Sequence, residues 1–362
     1  MAGSAPPLVG LPIMIYYTLF FLAEFALLLL ANIMHSRSLS VFAVVLAIAF
    51  CGLRYETGYD YNAYRSFFED LWLYEGLVEP GFYYFVHVAN SVGVTTFALF
   101  FLFALVTHGL AYHTLTKASP SPNLAFLIYL LIPGLYLNSF SILRSAFAVA
   151  VFGYAALRLI SRGGKLEYLA WGALATSFHY TALFPFFVAF VLFLGPRQLP
   201  SRLTCALLFF GSLIASQLPI AQTILNAFGG TKFDGYAALE EHQGALKILA
   251  SSLLTFFIIY HARYFERSQM LGYFFKVWLV GVVLFNVFIQ FTPVTRISYY
   301  FGFFSIPLLI HATSVHRGFA RSLSRPALIM FFSAGFAAAL YNDALVADPL
   351  NMSNYKTIFE TP

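Results

Sequence analysis

Apolar runs long enough to cross a lipid bilayer recur along almost the whole chain. A helix needs roughly 20 mostly apolar residues to span the hydrocarbon core, and hydropathy places such runs near residues 12–33, 39–53, 94–115, 122–137, 139–160, 203–220, 246–263, 271–291, 297–314 and 325–342. Only 10% of the 362 residues are charged, against about 25% in a typical soluble domain. The sequence therefore predicts an all-α fold, a polytopic transmembrane helical bundle of about 10–12 spans, with residues 1–362 forming a single integral membrane domain.

Two segments differ from simple spans. Residues 166–195 have basic residues at both ends, so the chain is expected to leave one side of the membrane and return to it. We predict a re-entrant pair of short helices broken near 178–185, because non-helical backbone at membrane depth is tolerated only where protein or a wet cavity covers it. The aromatic segment 80–92 predicts an interfacial helix. Residues 1–10 lack the basic start of a cleavable signal, so the first span is expected to remain as an anchor.

The distribution of charge predicts the orientation of the bundle. Lys and Arg are retained on the cytoplasmic side of short loops. The basic connections contain Arg37; Lys117; Arg158, Arg162 and Lys165; Arg197 and Arg202; Arg263, Arg267 and Lys276; and Arg317, Arg321 and Arg325. The alternate connections are acidic, above all residues 54–79. We therefore expect two outer loops, about 54–93 and 221–245, and both termini outside.

Three arginines at the ends of predicted spans are candidate anion-binding residues. Arg54 closes the second span, Arg144 lies near the start of the fifth, and Arg296 opens the ninth, all on the predicted outer side. An arginine in a span costs at least about 2.5–3.5 kcal/mol at mid-helix, so such positions are functional candidates. A guanidinium matches phosphate oxygens bidentately, which favours a phosphate or pyrophosphate ligand. The alternative is that these side chains reach toward lipid headgroups.

The segment 54–64 combines Arg54 with two carboxylates and four tyrosines at the mouth of a span. Glu56 or Asp60 could act as a general base toward an acceptor hydroxyl. The tyrosines that offer ring faces and hydroxyl donors are Tyr55, Tyr59, Tyr61 and Tyr64. This composition suits a surface that binds sugar and phosphate, and the alternative is a solvated acidic loop.

His179 lies at the predicted helix break, within the sequence SFHY at 177–180. An imidazole that titrates near neutral pH can take a proton from a sugar hydroxyl; the alternatives are that it caps the broken helix or binds phosphate. No spacing of His, Cys or carboxylates resembles a zinc or di-metal site, so neither a catalytic metal nor a cofactor is predicted, and weak binding of Mg²⁺ by a carboxylate loop stays open. Cys51 and Cys205 lie inside apolar runs and are expected to be packing residues. No basic cluster resembles a nucleic-acid-binding arm.

Several short motifs, taken in order, resemble the EpsG-like branch of Wzy-type polysaccharide polymerases. They are LRYETGYDYNAY at 53–64, EPGF at 79–82, ILRS at 142–145, SFHY at 177–180, RISYY at 296–300 and a closing YKTIF at 355–359. Together they cover almost the entire chain. The chain departs from the family pattern at Ser145, where Gln is common, and at Tyr59, where a small polar residue is usual, and these departures concern local substrate contacts rather than the class.

The resemblance implies a glycosyltransferase of the C type in the bacterial inner membrane, multi-pass and with its active site facing the periplasm. It implies a polymerase that joins undecaprenyl-pyrophosphate-linked oligosaccharide repeat units into O-antigen or exopolysaccharide. The absence of metal-ligand spacing adds the expectation that this activity is metal-independent. Partners implied are the lipid-linked oligosaccharides, membrane lipids, a chain-length regulator and a flippase.

Roles for individual residues follow from that chemistry. Arg144 and Arg296 are expected to stabilise the pyrophosphate leaving group, and His179 and Asp60 compete for the role of proton acceptor. The predicted substrate-binding residues are Arg54, Tyr55, Glu56, Tyr61, Tyr64, Glu79, Tyr299 and Tyr300.

Two other function classes fit the same composition. One is a transporter or flippase of lipid-linked oligosaccharides, and the other is a different C-type glycosyltransferase that uses a polyprenyl-phosphate donor. Against a transporter, the chain has no apparent inverted repeat, and its arginines gather on one face rather than at mid-membrane. The other C-type transferases usually place their catalytic residues in a large outer loop. Both outer loops predicted here are modest in length, which argues against that class.

Overall fold

The computed structural model describes residues 10–218, 223, 245–291, 295–316, 318–346 and 348–360, and the side chains within these ranges except those of 10–14, 245–247 and 318–322. The helices are α1 Gly10–Ile33, α2 Arg37–Gly52, α3 Tyr61–Glu69, α4 Pro80–Ser91, α5 Thr96–Ala118, α6 Pro122–Leu131, α7 Asn138–Ser141, α8 Leu143–Arg162, α9 Lys165–Phe178, α10 Leu183–Leu194, α11 Arg202–Ala215, α12 Ala245–Tyr260, α13 Ala262–Phe265, α14 Gln269–Val287, α15 Ser298–Gly302, α16 Ser305–Val315 and α17 Gly318–Ala344. Two short strands, β1 Arg54–Tyr55 and β2 Lys356–Thr357, form an antiparallel pair.

The prediction of an all-α polytopic bundle is confirmed. Within the described residues, five helices are long and apolar enough to cross a membrane by themselves, namely Ile15–Ile33 of α1, α5, α8, α14 and Leu323–Ala344 of α17. Five shorter apolar helices, Arg37–Gly52, Pro122–Leu131, Tyr180–Leu194, Arg202–Ala215 and Ile248–Tyr260, accompany them. The predicted loop at 221–245 lies almost entirely outside the described residues.

Helix α8 forms the centre of the bundle. In its most apolar 18-residue stretch, 72% of the helix is buried, the largest share among the long helices. Helix α8 packs against α5 and α9. Small residues let neighbouring helices come close to it: Ala148, Ala155 and Ala156 are fully buried. A side chain at Gly153 would collide with the ring of Phe303, which lies just before α16. Arg144, in the first turn of α8, therefore stands on a rigid element.

The predicted break in residues 166–195 is confirmed. Helix α9 ends at Phe178, His179 is extended (φ −156°, ψ 107°), a single 3-10 turn follows, and α10 starts at Leu183. The Tyr168 hydroxyl donates to the carbonyl of Phe186 at 2.9 Å, which joins the two short helices across the break. The predicted helix at 80–92 is also present as α4.

The end of the chain returns to the loop that follows α2. After α17, residues 348–360 lead into β2, whose Thr357 and Lys356 pair with Arg54 and Tyr55 of β1. We call this end of the bundle the site end, because it also holds the starts of α3, α4 and α8 and the break after α9. The opposite end, with Lys117, Arg158 and Arg162 at helix termini, is the basic end.

Candidate active site

The loop between β1 and α3 is held in an unusual conformation. Glu56 and Gly58 have positive φ angles of 43° and 104°. A Cβ atom on Gly58 would collide with the carbonyl of Phe140, so only glycine fits there. The Gly58 amide donates to the carbonyl of Leu350 at 2.8 Å, and the Tyr59 amide donates to the Ser141 hydroxyl at 3.1 Å. The C-terminal segment and the short helix α7 therefore fix the position of Asp60.

Arg54 is fully buried and its donors are used within the protein. Nη1 donates to the carbonyl of Cys51 at 2.7 Å, Nη2 to that of Phe140 at 3.1 Å and Nε to that of Thr57 at 3.2 Å. The guanidinium also lies over the rings of Phe100 and Phe140. These contacts indicate that Arg54 stabilises the loop from behind, and they leave its side chain no exposed surface for a substrate.

The predicted binding tyrosines are also mostly interior. Tyr61 is fully buried and stacks on Phe100 with ring centroids 4.8 Å apart. Tyr64 is buried, and its hydroxyl accepts from the backbone amide of Arg144 at 3.3 Å. Tyr55 is half-buried, with its edge toward Tyr61. The charge of Glu56 is paired with Lys356 at 3.3 Å, in a bridge that is well exposed.

Glu79, Arg144 and His179 meet at the site end, and we call them the ionic cluster. Arg144 Nη1 pairs with Oε2 of Glu79, and His179 Nδ1 lies 3.3 Å from Oε1. The Tyr180 amide donates to the same Oε1 at 3.3 Å. Because an ionised carboxylate only accepts, the proton of a neutral His179 lies on Nδ1 and its Nε2 carries the free lone pair. The carboxylate thus orients both a cation and a base.

Local sequence explains why Glu79 occupies this position. Glu79 is extended and directly precedes α4, whose first residue is Pro80, a favoured residue at a helix start. A side chain at Gly81 would collide with Ser177, so glycine lets the start of α4 pack against the end of α9. This close approach places the carboxylate beside His179, the residue that follows α9.

The environment of the ionic cluster keeps its charges in place. Burial raises the pKa of Glu79, but the hydrogen bond from His179 and the positive charge of Arg144 outweigh it and hold this pKa below its ordinary value. The Arg144 guanidinium lies over the rings of Tyr64, Phe67 and Phe82, at 5.8, 5.6 and 5.2 Å. Its Nε has no acceptor among the described residues. That nitrogen is buried, but the Arg144 side chain as a whole is 20% exposed, whereas Arg54 is fully buried.

Asp60 lies within electrostatic range of both Arg144 and Arg296. Burial raises the pKa of Asp60, and the positive charges of Arg296 and Arg144 oppose that rise without cancelling it. Asp60 does not cap its own helix α3, which leaves its carboxylate available. Arg296 is exposed. Direct contacts therefore join Arg144 and His179 through Glu79, whereas Asp60 and Arg296 are linked to this group only through the effect of the arginine charges on Asp60.

A narrow cleft runs along α8, starting at Ser145, the residue after Arg144, and no residue of the ionic cluster lines it. Its polar lining residues are Asn138, Ser145, Tyr129 and Tyr299, and its deeper wall is formed by small apolar residues of α8. Tyr299 is half-buried and leans on Gly134, where a side chain would collide with its ring. Tyr300 is fully buried, with its hydroxyl near Ser145 and Thr181, so it packs behind the cleft.

Comparison with known proteins identifies the family. The family model for the EpsG family matches residues 37–357. This chain belongs to the EpsG family. No curated protein and no solved structure matches it.

Membership supports a role like that of polysaccharide polymerases and an activity of the glycosyltransferase type. The matched range contains the whole ionic cluster as well as Asp60 and Arg296. Within the described part of the chain no three side chains of His, Cys, Asp or Glu converge in a way that could hold a metal ion.

Two acidic residues of this EpsG family chain were not foreseen from its sequence. Asp343 accepts hydrogen bonds from the Tyr59 hydroxyl and from the Ser353 amide, both at 2.7 Å. It therefore connects α17 to the loop between β1 and α3. Glu24 is fully buried at the middle of the span in α1, and neither of its carboxyl oxygens has a hydrogen-bond partner among the described residues. An acidic residue within an apolar run was the signal that could have drawn attention to Glu24.

Proposed function

We propose that this protein is a polymerase that transfers a growing glycan from one undecaprenyl-pyrophosphate carrier onto the non-reducing end of a fresh lipid-linked repeat unit. The observation that carries the proposal is the ionic cluster, in which one carboxylate orients an arginine and a histidine at the same end of the bundle. The family match supports polymerisation in general. The substrate class and the roles below are part of the proposal.

The proposed reaction is a substitution at the anomeric carbon of the donor sugar. The acceptor hydroxyl oxygen forms a bond to that carbon while the bond from the carbon to the pyrophosphate oxygen breaks. Negative charge then develops on the leaving pyrophosphate. Arg144 is suited to stabilise this charge, because a fixed cation lowers the barrier when it interacts more strongly with the transition state than with the ground state. Arg296, whose charge also acts on Asp60, is the second candidate for this role.

The proton of the acceptor hydroxyl passes to Nε2 of His179. Oε1 of Glu79 lies 3.3 Å from Nδ1 of the same ring and accepts a hydrogen bond from it. The carboxylate thereby stabilises the imidazolium that forms. Asp60 is the alternative base, since its pKa is raised and its carboxylate faces both arginines. We favour His179, because Glu79 orients it directly.

The orientation is inferred from charge. The site end carries the acidic loop 54–79, and the helix termini at the basic end carry Lys and Arg. By the positive-inside rule the basic end faces the cytoplasm, so the ionic cluster faces the periplasm of a bacterial inner membrane. A flippase would deliver the substrates to that side, and a chain-length regulator is a candidate partner there.

The test is complementation of a deletion strain at matched protein levels. Arg144→Gln and His179→Gln are expected to reduce the ladder of surface glycan to a single repeat unit on lipid. The matched control is Arg158→Gln, because Arg158 lies at the other end of the same helix and pairs with Glu167 at 2.7 Å. If no repeat unit reached the outer surface in the variants, transport would be the better assignment. An unchanged ladder would remove the proposal.

A further inference from the structure

Two histidines converge at the basic end, far from the ionic cluster. His261 directly follows α12, and His316 directly follows α16. Their Nε2 atoms lie 3.0 Å apart, and their ring centroids are 5.1 Å apart. His261 is 3% exposed, whereas His316 is half-buried and gives the pair access to solvent.

A backbone hydrogen bond fixes the tautomer of His261. Its Nδ1 lies 2.8 Å from the carbonyl of Phe257, which can only accept, so the proton of the neutral ring is on Nδ1. The Nε2 of His261 then presents a lone pair toward His316. Histidines that bind metals are commonly oriented in this way, with one ring nitrogen donating to a carbonyl and the other free to coordinate.

The spacing of the two nitrogens suits a shared metal ion. At metal–nitrogen distances of about 2.0–2.1 Å, two imidazole ligands on one ion lie about 2.8–3.4 Å apart for angles between square-planar and tetrahedral. The observed separation is within this range. Without a metal, the Nε2–H group of His316 donates a hydrogen bond to the Nε2 lone pair of His261. A bound metal ion would take the place of that proton.

We propose that His261 and His316 bind one divalent transition-metal ion of the kind that prefers imidazole, such as Cu²⁺, Ni²⁺ or Zn²⁺. Water completes the coordination, because no third His, Cys or carboxylate of the described residues joins the pair. The positive charges of Arg202 and Arg263 act on His261 and repel a cation, so the affinity is expected to be lower than at a closed four-ligand site. The bound ion connects the ends of α12 and α16.

The site was not visible in the sequence, because its two ligands lie 55 residues apart and neither belongs to a metal-binding spacing. It is independent of the proposed glycosyl transfer, since it lies at the opposite end of the bundle. Its function would be to hold two helix ends together rather than to take part in catalysis.

The experiment uses full-length protein purified in detergent through a tag free of histidine, stripped of metal and titrated with Cu²⁺. We expect one bound ion per chain, with an electron paramagnetic resonance spectrum showing coupling to two nitrogens. His261→Gln and His316→Gln should each weaken binding at least about 10²-fold, because two-point chelation becomes attachment to one imidazole. The control is His113→Gln, since His113 is exposed and its ring contacts Tyr154 of α8 rather than either histidine of the pair.

A second measurement tests the proposal even if His261→Gln folds poorly. Zn²⁺ should raise the melting temperature of the wild-type protein and of His113→Gln but not that of His316→Gln, whose side chain is half-buried and easier to replace. Equal copper binding by the wild type and by the double variant of His261 and His316 would overturn the proposal. A spectrum with a single coupled nitrogen would overturn it as well.

Discussion

Replacing Glu79 by Gln tests the ionic cluster most directly. The change keeps the shape of the side chain but removes the charge that pairs with Arg144 and orients His179. General-base catalysis contributes about 10²–10⁴ in rate, which corresponds to about 3–5 kcal/mol of barrier. We expect the polymerisation rate of Glu79→Gln to fall by a factor in this range, because the imidazolium loses its counter-charge.

The same substitution also affects stability, and the two effects can be separated. The side chains of Glu79 and Arg144 are only 10% and 20% exposed. Removing one partner of a buried ion pair costs about 3–5 kcal/mol, and the Gln amide, which can still hydrogen-bond, should reduce this cost. The control is Glu167→Gln, which removes the more exposed pair with Arg158 and should cost about 0–1 kcal/mol.

The assay measures polymer formed per unit time from lipid-linked repeat units in proteoliposomes, normalised to folded protein. A melting curve in detergent reports stability for each variant. If Glu79→Gln polymerised at a rate similar to that of the wild type while folding normally, Glu79 would have no part in catalysis. If the total activity of Glu79→Gln fell only in proportion to the amount of folded protein, the ionic cluster would have a structural role.

Three further outcomes are expected. Arg54→Gln should reduce the melting temperature sharply, since each buried carbonyl left without a donor costs about 1–3 kcal/mol. Gly58→Ala should destabilise more than Gly76→Ala when both melting curves are compared, because both glycines have positive φ but only Gly58 faces a blocking carbonyl. Asp60→Asn should raise the melting temperature at pH 7. The raised pKa of Asp60 means that its ionised form costs stability there, and the difference should vanish as the pH falls below 3.8.

The sequence predicted the helices of this fold well, because apolar length and charge placement are local properties. It also predicted the break that carries His179, since basic residues on both sides of 166–195 require the chain to turn back. It could not predict that Glu79 would join Arg144 and His179, which lie 65 and 100 residues further along the chain. That meeting depends on how closely Gly81 lets α4 approach α9.

Arg54 and Arg144 show the limit of reasoning from charge at the end of a span. Both follow the same pattern in the sequence, and both lie over aromatic rings. They differ in their acceptors: backbone carbonyls occupy three nitrogens of Arg54, whereas Arg144 pairs with a carboxylate and keeps an unsatisfied Nε. A cation satisfied by carbonyls is fixed in place, while a cation held by a carboxylate shared with a base can respond to a substrate. For this reason we propose the catalytic role for Arg144 and the support of the loop for Arg54.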